Sequence, residues 1–129
     1  MYKGYIDINP SHEEWAELYT NPENNAYGSF DNQYLIIHNE DGSIEDRFKW
    51  VDGGYKKLSY KQINNSFISK VKPRNIQQEC AFDLLQDKNT TIKILTGRFG
   101  SGKTFLMASN ALQLITDNKF EKIVWVRNN

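Results

Sequence analysis

Thr91-Ile92-Lys93-Ile94-Leu95-Thr96-Gly97-Arg98-Phe99-Gly100-Ser101-Gly102-Lys103-Thr104 is the stretch that decides how this chain is read. From Gly97 onward it fills every fixed position of the phosphate-binding loop G-x-x-x-x-G-K-[ST]. Gly97, Gly100 and Gly102 let the backbone turn its N–H groups inward around an anion, because glycine takes positive φ without a Cβ clash. With Ser101 they supply main-chain donors, while Arg98 and Phe99 fill the variable positions between them. Lys103 is placed to set a point charge on the outer phosphates of a nucleotide, and the Thr104 hydroxyl to take a position on Mg²⁺. A bare turn between strand and helix has no need of the Lys-Thr pair.

The surroundings match the motif. Thr91 to Thr96 is a short β-branched run that reads as a strand entering the loop. Thr104 to Thr116 leaves it with Leu106, Met107, Ala111, Leu114 and Ile115 at helical spacing. A helix that starts beside Gly102 directs its free N–H groups and the positive end of its dipole at the phosphates. Ile123-Val124-Trp125-Val126 reads as a further apolar strand of the kind buried in parallel sheets.

Upstream of the loop, Pro73 makes a break and Asn75 is a good N-cap. The helix expected after it carries Ile76, Cys80, Ala81, Leu84 and Leu85 on one stripe and ends near Asp87 to Asn89. Cys80 is the single cysteine, so no internal disulfide is available, and its place on the apolar stripe suits a buried thiol. Lys61 to Lys72 reads as a polar connection with Phe67, Ile68 and Val71 embedded.

The first half of the chain has a different grammar. Tyr2 to Ile8 alternates as a short strand can, and Ser11 and Glu14 have the spacing of a capping box for a helix through about Tyr19. Three strands of a meander follow at Gln33 to His38, Ile44 to Val51 and Tyr55 to Tyr60, with hairpin signals at Asp41-Gly42 and Asp52-Gly53-Gly54. Trp50, Phe48 and Tyr34 are expected in the core of this sheet rather than on a base-stacking face.

With 129 residues, 39% of them hydrophobic, the chain suits one ordinary domain or two very small ones. No run approaches the ~20 apolar residues of a membrane span, and a cytoplasmic placement is expected. The formal net charge of zero hides an asymmetry: residues 1–55 hold three basic and eleven acidic groups, residues 56–129 thirteen basic and five acidic. Such a split suits either a basic face for nucleic acid or two halves that attract each other.

Lys72-Pro73-Arg74-Asn75-Ile76-Gln77-Gln78 with Ala81-Phe82-Asp83-Leu84-Leu85, then the apolar run, the loop, an Ala- and Leu-rich helix and Lys122-Ile123-Val124-Trp125-Val126-Arg127, closely resembles the start of the PhoH-like ATPase domain. The resemblance covers about Lys70 to Asn129. Superfamily 1 helicases are similar more distantly, through the N-x-x-Q element. Residues 1–60, headed by Tyr2-Lys3-Gly4-Tyr5, look like the segment that joins a PIN nuclease domain to PhoH in longer fusions.

The resemblance implies an α/β fold: an incomplete P-loop NTPase βαβ unit of RecA or helicase type over residues 71–129, preceded by a small β-rich module over residues 1–70. It implies ATP and Mg²⁺ as ligands, an ATPase acting on or with single-stranded RNA in the complete protein, and a homo-oligomer. It also implies that Gln78 reads adenine, its carboxamide pairing with N6–H₂ and N7 where guanine O6 would not fit. The same spacing lets Gln78 act instead as a capping partner of Asn75. Arg127 resembles the arginine that follows this strand in the family.

Phe99 stands where the family has a small residue, and Arg98 adds a charge beside the phosphates. After Thr104 the acids are Asp117 and Glu121, and neither ends an apolar strand to complete the Mg²⁺ shell. The strands that flank the loop strand in such ATPases come later in the chain, so Ile92 to Leu95 is expected to lie unpaired and exposed. The expectation is therefore a truncated N-terminal portion with little hydrolysis, or alternatively a non-catalytic RNA-binding or regulatory fragment with a vestigial loop.

Overall fold

The chain starts with a strand that pairs in parallel, which the alternation of Tyr2 to Ile8 does not announce. In the computed structural model, which describes residues 2–65, 69–97, 102–124 and 126, β1 (Tyr5–Ile8) lies beside β2 (Tyr34–His38), with Tyr5 opposite Tyr34 and Ile8 opposite Ile37. Parallel pairing needs a crossover, and helix α1 (His12–Thr20) with the loop after it supplies one. α1 begins as its sequence requires. The Ser11 hydroxyl accepts from the Glu14 N–H and the Glu14 carboxylate accepts from the Ser11 N–H, both at 3.2 Å.

Antiparallel pairing completes the four-stranded sheet in the order β1-β2-β3-β4, with β3 at Ile44–Val51 and β4 at Gly54–Lys57. Asp52 and Gly53 both take positive φ, 52° and 74°, which is the geometry of a two-residue hairpin turn that follows the sheet's twist. The core of this first compact unit, residues 1–58, is Leu18, Leu35, Ile37, Phe48 and Tyr55, with Ile6, Ile8, Trp15, Tyr27 and Trp50 against it. Tyr34 and Phe48 are buried and Trp50 packs edge-on against Tyr55 at 4.8 Å, so these aromatics serve the core.

The second compact unit runs from Ser59, whereas the sequence reading divides the chain at residue 70. It includes a hairpin where the sequence reads as a polar connection: β5 (Ile63–Asn65) pairs antiparallel with β6 (Ser69–Val71). Ile63 and Val71 face each other across it and are buried, while the asparagines between conceal the pattern. Phe67 and Ile68 lie outside the described residues. α2 (Ile76–Gln86) and α3 (Lys103–Thr116) pack with this hairpin around Ile63, Val71, Phe82, Leu85 and Leu106. Cys80 is half-buried.

The run that leads into the phosphate loop lies unpaired, as expected for Ile92 to Leu95, whereas the strand expected at Ile123 to Val126 is not formed by its described residues. Neither residues 91–97 nor the described residues of 122–126 belong to a ladder. No strand among the described residues pairs with residues 91–97, although the alternation there is that of a strand. Ile92 and Ile94 are 80% and 77% exposed, while Lys93 and Leu95 between them turn inward, as a strand's alternation demands. Leu95 packs on the core, and Lys93 Nζ donates to the Leu85 carbonyl at 2.8 Å. The mixed α/β class holds, with its parallel pair in the first unit. A βαβ pairing around the loop is not seen among the described residues. No helix among them is long and apolar enough to cross a membrane.

Candidate functional site

Two helix starts meet at the candidate site, one from α2 and one from α3. Asn75, extended at φ −151°, caps α2, its Oδ1 accepting from the Gln78 N–H at 2.9 Å. Gln78 does not return the bond to Asn75, as a capping box would have it. Its Oε1 reaches one residue further and accepts from the Arg74 N–H at 2.9 Å. That arrangement leaves Nε2 on the far side, 3.6 Å from where a Cβ on Gly102 would stand.

Gly102 is the N-cap of α3, and it takes the left-handed conformation at φ 83°, ψ 7°, which an L side chain adopts only under strain. Among the described residues no side chain caps α3. Its first intrahelical bond runs from the Leu106 N–H to the Gly102 carbonyl at 2.9 Å, so the N–H groups before Leu106 have no helical acceptor. Lys103 Nζ donates to the Gly97 carbonyl at 2.7 Å, which bridges the two ends of the loop. Arg98, Phe99, Gly100 and Ser101 lie outside the described residues, as do Trp125 and Arg127.

Core packing sets the distance between these two helix starts. Asn110, buried on α3, donates to the same Leu85 carbonyl that receives Lys93, at 3.3 Å. One carbonyl near the end of α2 thus ties α2, α3 and the run leading into the loop. Leu106, one turn from Lys103, is buried against Phe82 and Leu85. The structure therefore brings Gln78, Gly97, Gly102 and Lys103 into one neighbourhood, with Thr104 exposed in the first turn of α3. The part sequence reasoning missed is the Arg74 N–H, because a main-chain donor leaves no mark in residue type.

The chemistry of this donor set suits a polyphosphate: an ammonium, uncapped N–H groups and a helix dipole all favour negative charge. For Mg²⁺ the fit is partial. The Thr104 hydroxyl is available, but Asp117 sits at the other end of α3, about 20 Å away at 1.5 Å per residue. No group of three acidic, histidine or cysteine side chains able to hold a metal is found among the described residues. A cavity of about 290 Å³ in the first unit is no competitor, since Glu13, Glu14 and Glu17 line it and would repel phosphate.

Residues 70–129 match the family model described as PhoH-like protein. Over 133 aligned residues, covering 98% of the chain, the sequence is 26% identical to Protein PhoH2 of Bacillus subtilis (strain 168). The chain spans about 30% of that relative's length. No solved structure matches it. The family resemblance carried by Lys72 to Gln78 and the phosphate loop is thus borne out, and the alignment with the relative extends through the first unit as well.

Proposed function

We propose that this chain, PhoH-like over residues 70–129, binds ATP with Mg²⁺ at the loop Gly97 to Thr104 and belongs to an ATPase that acts on or with RNA. The observation that carries the reading is the approach of the Gln78 carboxamide to Gly102 beside the Lys103 bridge. It sets a group suited to an adenine edge next to a phosphate cradle. Lys103 exchanges its bond to the Gly97 carbonyl for the β- and γ-phosphates, where its charge stabilises the transferring phosphoryl group. Gly97, Gly100, Ser101 and Gly102 supply main-chain donors, with Arg98 and Phe99 completing the loop. Thr104 would hold the Mg²⁺ ion, which when bound would neutralise phosphate charge.

Calorimetric titration of ATP into the protein and into Lys103→Ala tests the site. Loss of the ammonium should weaken binding by roughly 2 kcal/mol, the scale of hydrogen bonds to charged groups. Equal affinities would remove the motif from the binding site.

RNA as a partner is supported by the thirteen basic against five acidic groups of residues 56–129. Phosphate contacts release counterions, so affinity for single-stranded RNA should fall steeply from low to moderate salt in filter binding. Salt-independent binding would argue against such contacts. Helicase-like strand movement, a homo-oligomer and a cytoplasmic site of action are proposed on the family resemblance.

A second reading, a non-catalytic nucleotide- or RNA-binding role, draws on the distance of Asp117 from Thr104. A cradle with no acid to align water binds ground state and transition state about equally and lowers no barrier. Phosphate release by these 129 residues is accordingly expected at the background set by Lys103→Ala. Lys103-dependent turnover would exclude the non-catalytic reading.

A further inference from the structure

We propose that the main-chain N–H of Arg74 determines base preference at this site, because it fixes which end of the Gln78 carboxamide faces the nucleotide. The inference rests on the reading of Gln78 as the adenine-facing residue. The two ends of a carboxamide are alike in shape and opposite in chemistry. An amide free to rotate can offer Oε1 to the N6–H₂ of adenine or Nε2 to the O6 of guanine, and it discriminates poorly. A fixed amide with its oxygen toward the N6 position meets guanine O6 oxygen to oxygen.

The structure supplies the fixing bond. The Arg74 N–H lies 2.9 Å from Gln78 Oε1. Only an oxygen can accept there, since the flipped rotamer would set two donors against each other. The same turn also holds the main chain of Gln78, whose N–H is bonded to Asn75 Oδ1 at 2.9 Å. Both ends of the residue are therefore tied to Arg74-Asn75, directly after the ring of Pro73. The oxygen keeps a second lone pair for N6–H₂, and Nε2 faces the Gly102 end of the loop, 3.6 Å from the Cβ position there. The Arg74 side chain is exposed and plays no part in this bond, which makes Arg74 a positioning residue through its backbone alone.

The test compares three variants by competition of ATP and GTP against a fluorescent ATP analogue. Arg74→Pro deletes the N–H, Arg74→Ala keeps it, and Gln78→Ala removes the carboxamide. The preference for ATP over GTP should drop by about fivefold to tenfold in Arg74→Pro and Gln78→Ala, the scale of one hydrogen bond, and stay unchanged in Arg74→Ala. Where Arg74→Pro does not fold, Gln78→Ala decides. An unchanged ratio in the deciding variant, or an equal loss in Arg74→Ala, overturns the proposal. Wild-type protein that binds both nucleotides equally overturns it too, while leaving the phosphate site intact. Wild-type protein that binds neither refutes the nucleotide site and this inference with it. Amide exchange on the ligand-free protein separates the bond from the ligand. Protection of the Arg74 N–H should be present in wild type, kept in Gln78→Glu and lost in Gln78→Ala, and an unprotected Arg74 N–H in wild type also overturns the proposal.

Discussion

Replacing Gly102 by alanine isolates backbone conformation from space, and the structure sets the size of the effect. The residue sits at φ 83°, ψ 7° at the start of α3. A Cβ there meets Gln78 Nε2 at 3.6 Å, an ordinary van der Waals separation, and nothing closer among the described residues. Overpacking therefore contributes little. What remains is the left-handed conformation, which costs an L residue roughly 1–2 kcal/mol. In a unit of about 70 residues, a loss of roughly 1 kcal/mol lowers the melting temperature by about 4–8 °C. Asparagine tolerates this conformation better than alanine, so Gly102→Asn should fall between wild type and Gly102→Ala. Thermal melts followed by far-ultraviolet circular dichroism, with urea titrations for the free energies, give the order. The new methyl group also stands between the loop and Nε2, so Gly102→Ala should weaken ATP binding beyond its effect on stability. Alanine as stable as glycine, or asparagine worse than alanine, would refute the conformational argument.

Other expected outcomes concern caps, cores and charge. Ser11→Ala removes half of the capping box of α1 and should cost about 1 kcal/mol in urea titration of the first unit, with Glu14→Ala costing less. Phe82→Ala opens the centre of the second unit, where the ring is almost fully buried, and should cost about 3–5 kcal/mol by denaturant titration. The His38 ring faces acceptors on both nitrogens, Asp7 Oδ1 at 2.8 Å and the Gly42 carbonyl at 3.0 Å. The hydrogen bond to Asp7 first, then that to Gly42, holds its pKa above the ordinary histidine value. The stabilisation this gives is complete below the unfolded value and lost as pH rises through the folded one, so melts of His38→Gln should be flatter than wild type across neutral pH. Asp46 titrates in the opposite sense. Burial pushes its carboxyl up, but hydrogen bonds from Lys57, Tyr19 and the Arg47 N–H outweigh it and hold the pKa below the usual range. That stabilisation is present above the unfolded value and lost as pH falls through the folded one, so Asp46→Asn should reduce the acid sensitivity of the melt.

Local chemistry alone was enough to read several parts of this protein. Ser11 and Glu14 mark α1, Asn75 caps α2, Asp52-Gly53 turns between β3 and β4, and Gly97 to Thr104 names the phosphate loop. Each of these depends on residues within a few positions of one another, so spacing carries the information. What only the tertiary structure decided depends on partners far apart in the chain. The parallel pairing of β1 with β2 joins residues about 29 positions apart, and nothing in Tyr5 to Ile8 specifies which strand lies beside it. The β5 and β6 hairpin is visible only through the burial of Ile63 against Val71. Residues 91–97 show the converse: their alternation is that of a strand, but a strand exists only where a neighbour accepts its hydrogen bonds. At the candidate site, the motifs single out Lys103 and Gln78 one by one. Their meeting at Gly102 follows from Leu106, Asn110 and Leu85 packing α3 on α2, and the direction of the Gln78 carboxamide follows from one backbone N–H whose position only the folded chain defines.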